Sequence, residues 1–437
     1  MADTATAGSI DAIVIGAGVM GASITLELAR SGRRVVCVDA GPAVGSGSTS
    51  SSSAIIRFNY STFDSVLTAW EAAHRWKIFT EHLGMADPDG MAAFVSTGCL
   101  ALDTPGDNRP QVTAIFRDIG IPYQDLSGEQ IQAEMPALAK GDFWPPRPVD
   151  DPHFADEPTS DIGGYFTNDG GFIDDPMRAA QNFMFAAKHH GAQVRLNSIV
   201  TAITQADGVV TGIELEGGDN IEAPIVINVG GPAAASLNAM AGVTEEMRIK
   251  SRPMRQEVHV VEAPANFTPD SGSLVSDPGV GVYFRPGLGG TVLIGSSEPE
   301  CDELQWLDDH TDFVNTPTPD LFEAQVLRAA RRLPDIRIPL APVGLADLYD
   351  ASDDWAPLYD KTSLGGYFMA CGTSGNQFKN ATMVGTFLSA LVDAHDAGHD
   401  HDHDPVQVTG DLTGRAINLA AFSRLREKST TTNSVLG

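Results

Sequence analysis

Residues Asp11 to Ile15 (DAIVI) form a short apolar run, the pattern of a strand buried on both faces. From Val19 to Ser31 the period changes. Met20, Ile24, Leu26 and Leu28 fit one broad helical face, and Gly32 stops the helix. Val35 to Val38 (VVCV) is a second buried strand, closed by Asp39. The pattern predicts a β-α-β unit.

Between the first strand and the helix lies GAGVMG, with Gly16, Gly18 and Gly21 in G-x-G-x-x-G spacing. Gly16 permits the tight turn, Gly18 lets a pyrophosphate approach the backbone, and Gly21 lets helix and strand pack closely. The helix N-terminus offers free N–H groups and a partial positive charge to phosphates. Asp39 stands where a carboxylate accepts from ribose hydroxyls. The motif predicts a dinucleotide site and leaves FAD and NAD both open.

The rest of the chain alternates between two kinds of segment. Residues 45–53 (GSGSTSSSS) are a polar loop, read either as a linker or as backbone running beside a cofactor. Ser48 and Thr49 there, and Ala40 next to Asp39, are candidate cofactor contacts. AIIRFNYST sets Arg57 in an apolar stretch. A helix with Trp70, His74, Trp76 and Phe79 follows, its aromatics assigned to the core and His74 to the helix surface. Residues 86–160 mix short strands, turns and a Pro-rich segment, as in a substrate lobe. GGYFTNDGGFIDDP leads into a helix from Met177 to Gly191 and the strand AQVRLNSIVTAI, and a hairpin is centred on Gly217-Gly218. APIVINVGGPAA is a strand ending in a small-residue turn at Gly230. QEVHVVE, GVYFRP and TVLIGSS have period two and predict an antiparallel sheet. YFMACGTSGNQFKNATMVGTFLSALVDA is strand, glycine turn and helix.

The predicted fold class is α/β. A Rossmann-type FAD- or NAD-binding domain (1–85, 161–250 and 341–400) interleaves with an α+β substrate domain built on an antiparallel sheet (86–160 and 251–340). Residues 401–437 form a tail packing on the first domain.

Composition narrows the partners. Of 437 residues, 42% are hydrophobic, enough for a sizeable core. A net charge of −29 repels phosphate backbones and anionic lipid, which argues against nucleic acid and membrane-surface partners. No apolar run is long enough for a membrane span, and the first residues lack a basic flank, so a cytoplasmic protein without signal peptide is expected. Cys37, Cys99, Cys301 and Cys371 are scattered without a C-x-x-C pair. HDAGHDHDHD carries His395, His399, His401 and His403, read as a solvated acidic loop in preference to a metal site.

Taken in order, GAGVMG with Asp39, AIIRFNY, GGFIDDP, VINVGGPAA, GVYFRP with TVLIGS, LADLYDASDDWAPLYD and CGTSGNQFKN resemble the D-amino acid oxidase superfamily of flavoproteins. The resemblance spans nearly the whole chain. Its nearest branches are sarcosine oxidase, dimethylglycine dehydrogenase and glycine oxidase. It implies FAD with its adenine end on Gly16, Gly18, Gly21 and Asp39, and a backbone contact at Val200. It also implies that the turn Gly372, Ser374, Gly375, Asn376 and Gln377 lies beside the flavin ring.

The resemblance further implies that Arg57 and Lys379 pair with a substrate carboxylate. Tyr283 matches an active-site tyrosine, and Arg285, two residues on, shares its strand face. The implied reaction is oxidation of an amine or amino acid such as an N-substituted glycine. Flavin-binding accessory proteins and D-amino acid or glycine oxidases are the alternatives. Leu293 stands where the sarcosine-oxidase branch carries a lysine that assists oxygen reduction, so oxygen, a carrier protein or a quinone all stay open as acceptor. Ser297 replaces a histidine of that branch. Asp347 and the serines of 48–53 stand where flavin-tethering relatives carry His or Cys, which implies non-covalent FAD.

Overall fold

The structure, a computed structural model, describes residues 9–105, 108–431 and 434–436. The unflanked N-terminal stretch before Ser9 lies outside the described residues. Two sheets organise the chain. The first has six strands in the order Leu358–Lys361, Tyr367–Cys371, Ile225–Asn228, Ala12–Ile15, Val35–Val38, Gln193–Arg195. All pair in parallel except the antiparallel edge strand Leu358–Lys361.

Strand alternation splits the apolar runs between two cores. Ala12, Val14 and Cys37 face the helices Val19–Arg30, Pro176–His189 and Ala381–Asp396. Ile13, Ile15, Val36 and Val38 face the small sheet of Val200–Ala206, Val209–Leu215 and Asn220–Glu222. The helix Val19–Arg30 packs against both other helices and is buried nearly all round, which explains its weak amphipathic pattern.

The second sheet has nine strands and is mainly antiparallel. At its centre Ser251–Glu262 pairs with Thr291–Ser296 and, over its other length, with Gly344–Ser352. Thr291–Ser296 pairs with Val282–Pro286, and that strand with Leu274–Asp277. Leu274–Asp277 joins Cys99–Leu102 in parallel, and Gly164–Thr167 follows. Val282, Phe284, Val292 and Ile294 point to a core sealed by Phe322 and Val326 of the helix Pro319–Arg332. The opposite face, with Tyr283 and Arg285, turns toward the first sheet's loops.

Chain crossing between the sheets is finer than the sequence blocks suggest. Gly164–Thr167 and Gly344–Ser352 fall in stretches assigned to the nucleotide domain, yet both are strands of the nine-stranded sheet. Among the described residues no helix is long and apolar enough to cross a membrane.

The histidine-rich segment is less uniformly solvated than a surface loop. His401 is buried 3.6 Å from Asp360, while His399 and His403 pair with Asp404 and Asp400. Arg424 and Lys361 tie Asp402 into the same network. Among the described residues no group of three His, Cys, Asp or Glu side chains is arranged to hold a metal ion.

Candidate active site

A groove of about 1170 Å³, the space open to solvent included, runs along the C-terminal ends of the parallel strands. Its first wall is the predicted fingerprint. Gly16 holds φ +113°, and a Cβ there would run into the carbonyl oxygen of Val229. Gly18 caps the helix Val19–Arg30 with no side-chain cap, so the turn keeps room and N–H groups for an anion. Asp39 is oriented by the N–H groups of Ala17 and Gly41, at 2.5 and 2.6 Å.

The serine-rich loop is part of this wall. Thr49 Oγ1 accepts from the Val19 N–H at 3.0 Å, Ser48 Oγ donates to the Leu348 oxygen at 3.0 Å, and Ser53 Oγ lies 2.9 Å from the Tyr283 hydroxyl. Gly21, Gly230, Gly375 and Gln377 line the groove as well. Four other candidates are placed off its wall. Ala40 is exposed, and Val200 packs in the core beneath the small sheet. Gly372 and Ser374 are held to Asp350: the Gly372 N–H donates to its carboxylate, and the Ser374 N–H to its main-chain oxygen at 2.7 Å.

Asp350 and Tyr349 line the groove opposite the glycine turn. Burial pushes the Asp350 carboxyl up to about 6. Gly375 has φ +68°, and a Cβ there would strike the Tyr349 ring. The turn therefore lies directly against the Tyr349 ring, an approach that a residue without a Cβ permits.

A second cavity of about 460 Å³ adjoins the groove, sharing Ser53, Tyr283, Gly375 and Phe378 with it. Arg57 and Lys379 both line it. Arg57 follows the two-residue strand Ile55–Ile56, and Lys379 sits in the short turn Phe378–Asn380 before the helix Ala381–Asp396. Lys379 Nζ donates to the Tyr60 hydroxyl at 2.9 Å and also to the Asn376 oxygen. Tyr60 in turn donates to Asn376 at 2.8 Å. Burial first, then the nearby Arg57, holds the Lys379 ammonium well below its usual value. Neither Arg57 nor Lys379 forms an ion pair among the described residues, and two buried cations without a counter-charge suit an anionic ligand. The amide nitrogen of Asn376 is buried without a partner beside them.

Tyr283 lines both cavities. Arg285 shares its face, as strand geometry requires, but is already engaged. Its Nε donates to the Ser53 oxygen at 3.0 Å and its guanidinium lies 3.8 Å over the Phe172 ring. It does not line the cavity. Leu293 pairs with Arg285 across the sheet and packs beside Tyr283 and Tyr349.

Sequence reasoning missed Tyr60, Tyr349, Glu298 and the tail residue Val435, which also lines the cavity. Tyr60 had a signal, lying three residues after Arg57 in the same apolar stretch. The others are brought in only by tertiary contacts.

An interleaved nucleotide fold whose groove opens into a cation-lined cavity is the architecture of a dinucleotide-binding enzyme. The chain belongs to the DAO family of FAD dependent oxidoreductases, which it matches over residues 11–391. It is 24% identical to FAD-dependent oxidoreductase domain-containing protein 1 of Xenopus laevis, over 87% of this chain and 79% of that protein. Among solved structures it is similar to glycine oxidase from Geobacillus kaustophilus, with TM-score 0.72, 21% identity, and coverage of 95% of this chain and 98% of that one. L-proline dehydrogenase from P. horikoshii also gives TM-score 0.72 at 21% identity, covering 90% and 94%.

FAD is the cofactor of this family, and the residues present fit it. The glycine cradle, the helix N-terminus beside Thr49 and the carboxylate of Asp39 suit the dinucleotide end. Among the described residues no cysteine or histidine lines the groove, in keeping with non-covalent FAD.

Proposed function

We propose that this protein oxidises the C–N bond of a small amino acid with a substituted amine, of the N-substituted glycine type. The observation that carries this reading is the convergence of Arg57 and Lys379, from opposite ends of the chain, on one cavity that opens into the FAD groove.

FAD, when bound, supplies the two-electron acceptor for the C–H bond next to the amine nitrogen. The chain supplies the rest. Arg57 and Lys379 hold the carboxylate, Arg57 with the planar fork that suits it. A carboxylate bound there supplies the counter-charge that Lys379 lacks, so binding favours the protonated lysine. Tyr60 and Asn376 fix the position of Nζ. Tyr283, at the junction of cavity and groove, orients the carbon bearing the amine. The apolar surroundings favour the neutral amine that can give up its C–H bond. Water hydrolyses the iminium product to an aldehyde or glyoxylate and the shorter amine.

The test is anaerobic reduction of the flavin by a panel of amines and amino acids. Amino acids with secondary or tertiary amines bleach the flavin band, while amines without a carboxylate do so much more slowly. Equal rates with and without the carboxylate would overturn the assignment of Arg57 and Lys379. Failure of every amino acid to bleach it would overturn the function.

A further inference from the structure

The cation-lined cavity is partly filled by the chain itself. Val435 Cα carries its two peptide groups into it. The Val435 carbonyl oxygen accepts from Arg57 Nη2 at 2.6 Å, and the Val435 N–H donates to Glu298 Oε2 at 2.9 Å. Its side chain is buried against Met254, Tyr283 and Trp355.

Glu298 reaches the cavity through Val435 and does not itself line it. It holds φ +52°, a left-handed conformation that costs free energy for a side chain of this kind. Its N–H donates to Ser296 Oγ at 3.0 Å, and its Oε1 accepts from Gln256 Nε2 at 3.2 Å. Among the described residues no lysine, arginine or histidine pairs with it, the nearby charge being that of Asp302. Burial pushes its carboxyl up to about 8. A half-buried carboxyl with no cation beside it is stabilised by each donor it gains.

The atoms gripped in Val435 are N, Cα, C and O, the skeleton of an α-amino acid. Arg57 holds the oxygen end and Glu298 the N–H end. We infer that Arg57 and Glu298 form a two-point clamp reading the carboxylate and the amine N–H of an α-amino acid substrate, and that Val435 occupies this clamp as an internal stand-in which the substrate displaces.

This rests on the proposed function and narrows it. The preferred substrate keeps an N–H when its amine is neutral, so among the substituted amines it is a secondary one. A neutral tertiary amine leaves Glu298 without its donor. Glu298 is a specificity residue here, distinct from the cations that bind any carboxylate.

The test uses calorimetric titration of the anaerobic holoprotein with three probes: N-methylglycine, N,N-dimethylglycine and methoxyacetate, in which an ether oxygen replaces the N–H. Val435→Pro removes the N–H that Glu298 accepts, and it is expected to tighten N-methylglycine binding tenfold or more. In that background Glu298→Leu is expected to weaken N-methylglycine at least tenfold and methoxyacetate less than twofold. Glu298→Gln, which keeps an acceptor oxygen, is expected to restore most of the loss. Flavin content and far-UV circular dichroism confirm that each variant is folded.

Equal loss for N-methylglycine and methoxyacetate overturns the clamp, as does no loss for either. No tightening in Val435→Pro overturns the stand-in. In those cases methoxyacetate still binds, so the carboxylate site and the proposed function stand. Should Val435→Pro holoprotein bind none of the three probes, the proposed function falls together with the clamp.

Discussion

Lys379 and Arg57 flank a single aromatic ring. Tyr60 lies with its ring centre 5.3 Å from Lys379 Nζ and 5.0 Å from Arg57 Cζ. Lys379 meets Tyr60 at its hydroxyl, to which Nζ donates at 2.9 Å, while Arg57 lies over the ring, whose face attracts a cation.

That arrangement sets a pH dependence. The groups facing Lys379 are Arg57, the Tyr60 hydroxyl and the Cys99 thiol. The last two are pushed up to about 12 by burial and are neutral at ordinary pH. Since Lys379 is held well below its usual value, the free protein loses that proton below pH 10.5. A carboxylate binds the protonated form better, so binding favours proton uptake. The dissociation constant for methoxyacetate is therefore flat at low pH and rises, by up to about tenfold per pH unit, once pH passes the free-protein value. Lys379→Met removes this limb and binds weakly throughout. A wild-type limb that persists in the variant would assign the titration elsewhere.

Arg57→Met removes the fork. A charged hydrogen bond contributes about 1.5–3 kcal/mol, so KM is expected to rise about 10- to 150-fold. The flavin spectrum and flavin content stay as in the wild type, because Arg57 lines the cavity and not the groove. Steady-state kinetics beside an absorbance spectrum decide it.

Gly16→Ala tests the cofactor cradle. The new methyl meets the Val229 carbonyl oxygen at a backbone angle that L-residues rarely adopt. The purified protein is expected to carry much less than one flavin per chain. Full flavin content in the variant would place the pyrophosphate elsewhere.

Asp277→Asn tests the substrate-domain scaffold. Asp277 and Arg332 are both buried, and Arg332 Nε meets Asp277 Oδ2 at 2.7 Å. Removing one charge strands the other, which typically costs about 3–5 kcal/mol. Denaturant unfolding of the wild type and variant measures this, and a loss below 1 kcal/mol would contradict it.

Much of the nucleotide half was legible in the sequence because its signals are local. DAIVI, GAGVMG and VVCV each carry strand, turn or helix in a few adjacent residues. The strands at Ile225–Asn228 and Tyr367–Cys371 are likewise continuous apolar runs. The polar loop 45–53 stayed ambiguous, since its role is fixed by partners as distant as Leu348 and Tyr283. Gly344–Ser352 reads as part of the nucleotide domain by position, and only its pairing with Ser251–Glu262 moves it to the other sheet. Glu298 and Val435 had no local signal, because each acquires meaning from the other and from Arg57. The burial of His401 was hidden for the same reason: four histidines among aspartates read alike until Asp360 and Arg424 single one out.

The strand Gly344–Ser352 is also where both halves are fastened. Leu348 receives the Ser48 hydroxyl, and Asp350 receives the Gly372 and Ser374 amides. One strand thus carries the ladder of one sheet and the anchors of both loops that border the groove. Neither half has a seam along which to detach, so heating should produce one cooperative transition, with colour loss and loss of helical signal falling on the same curve.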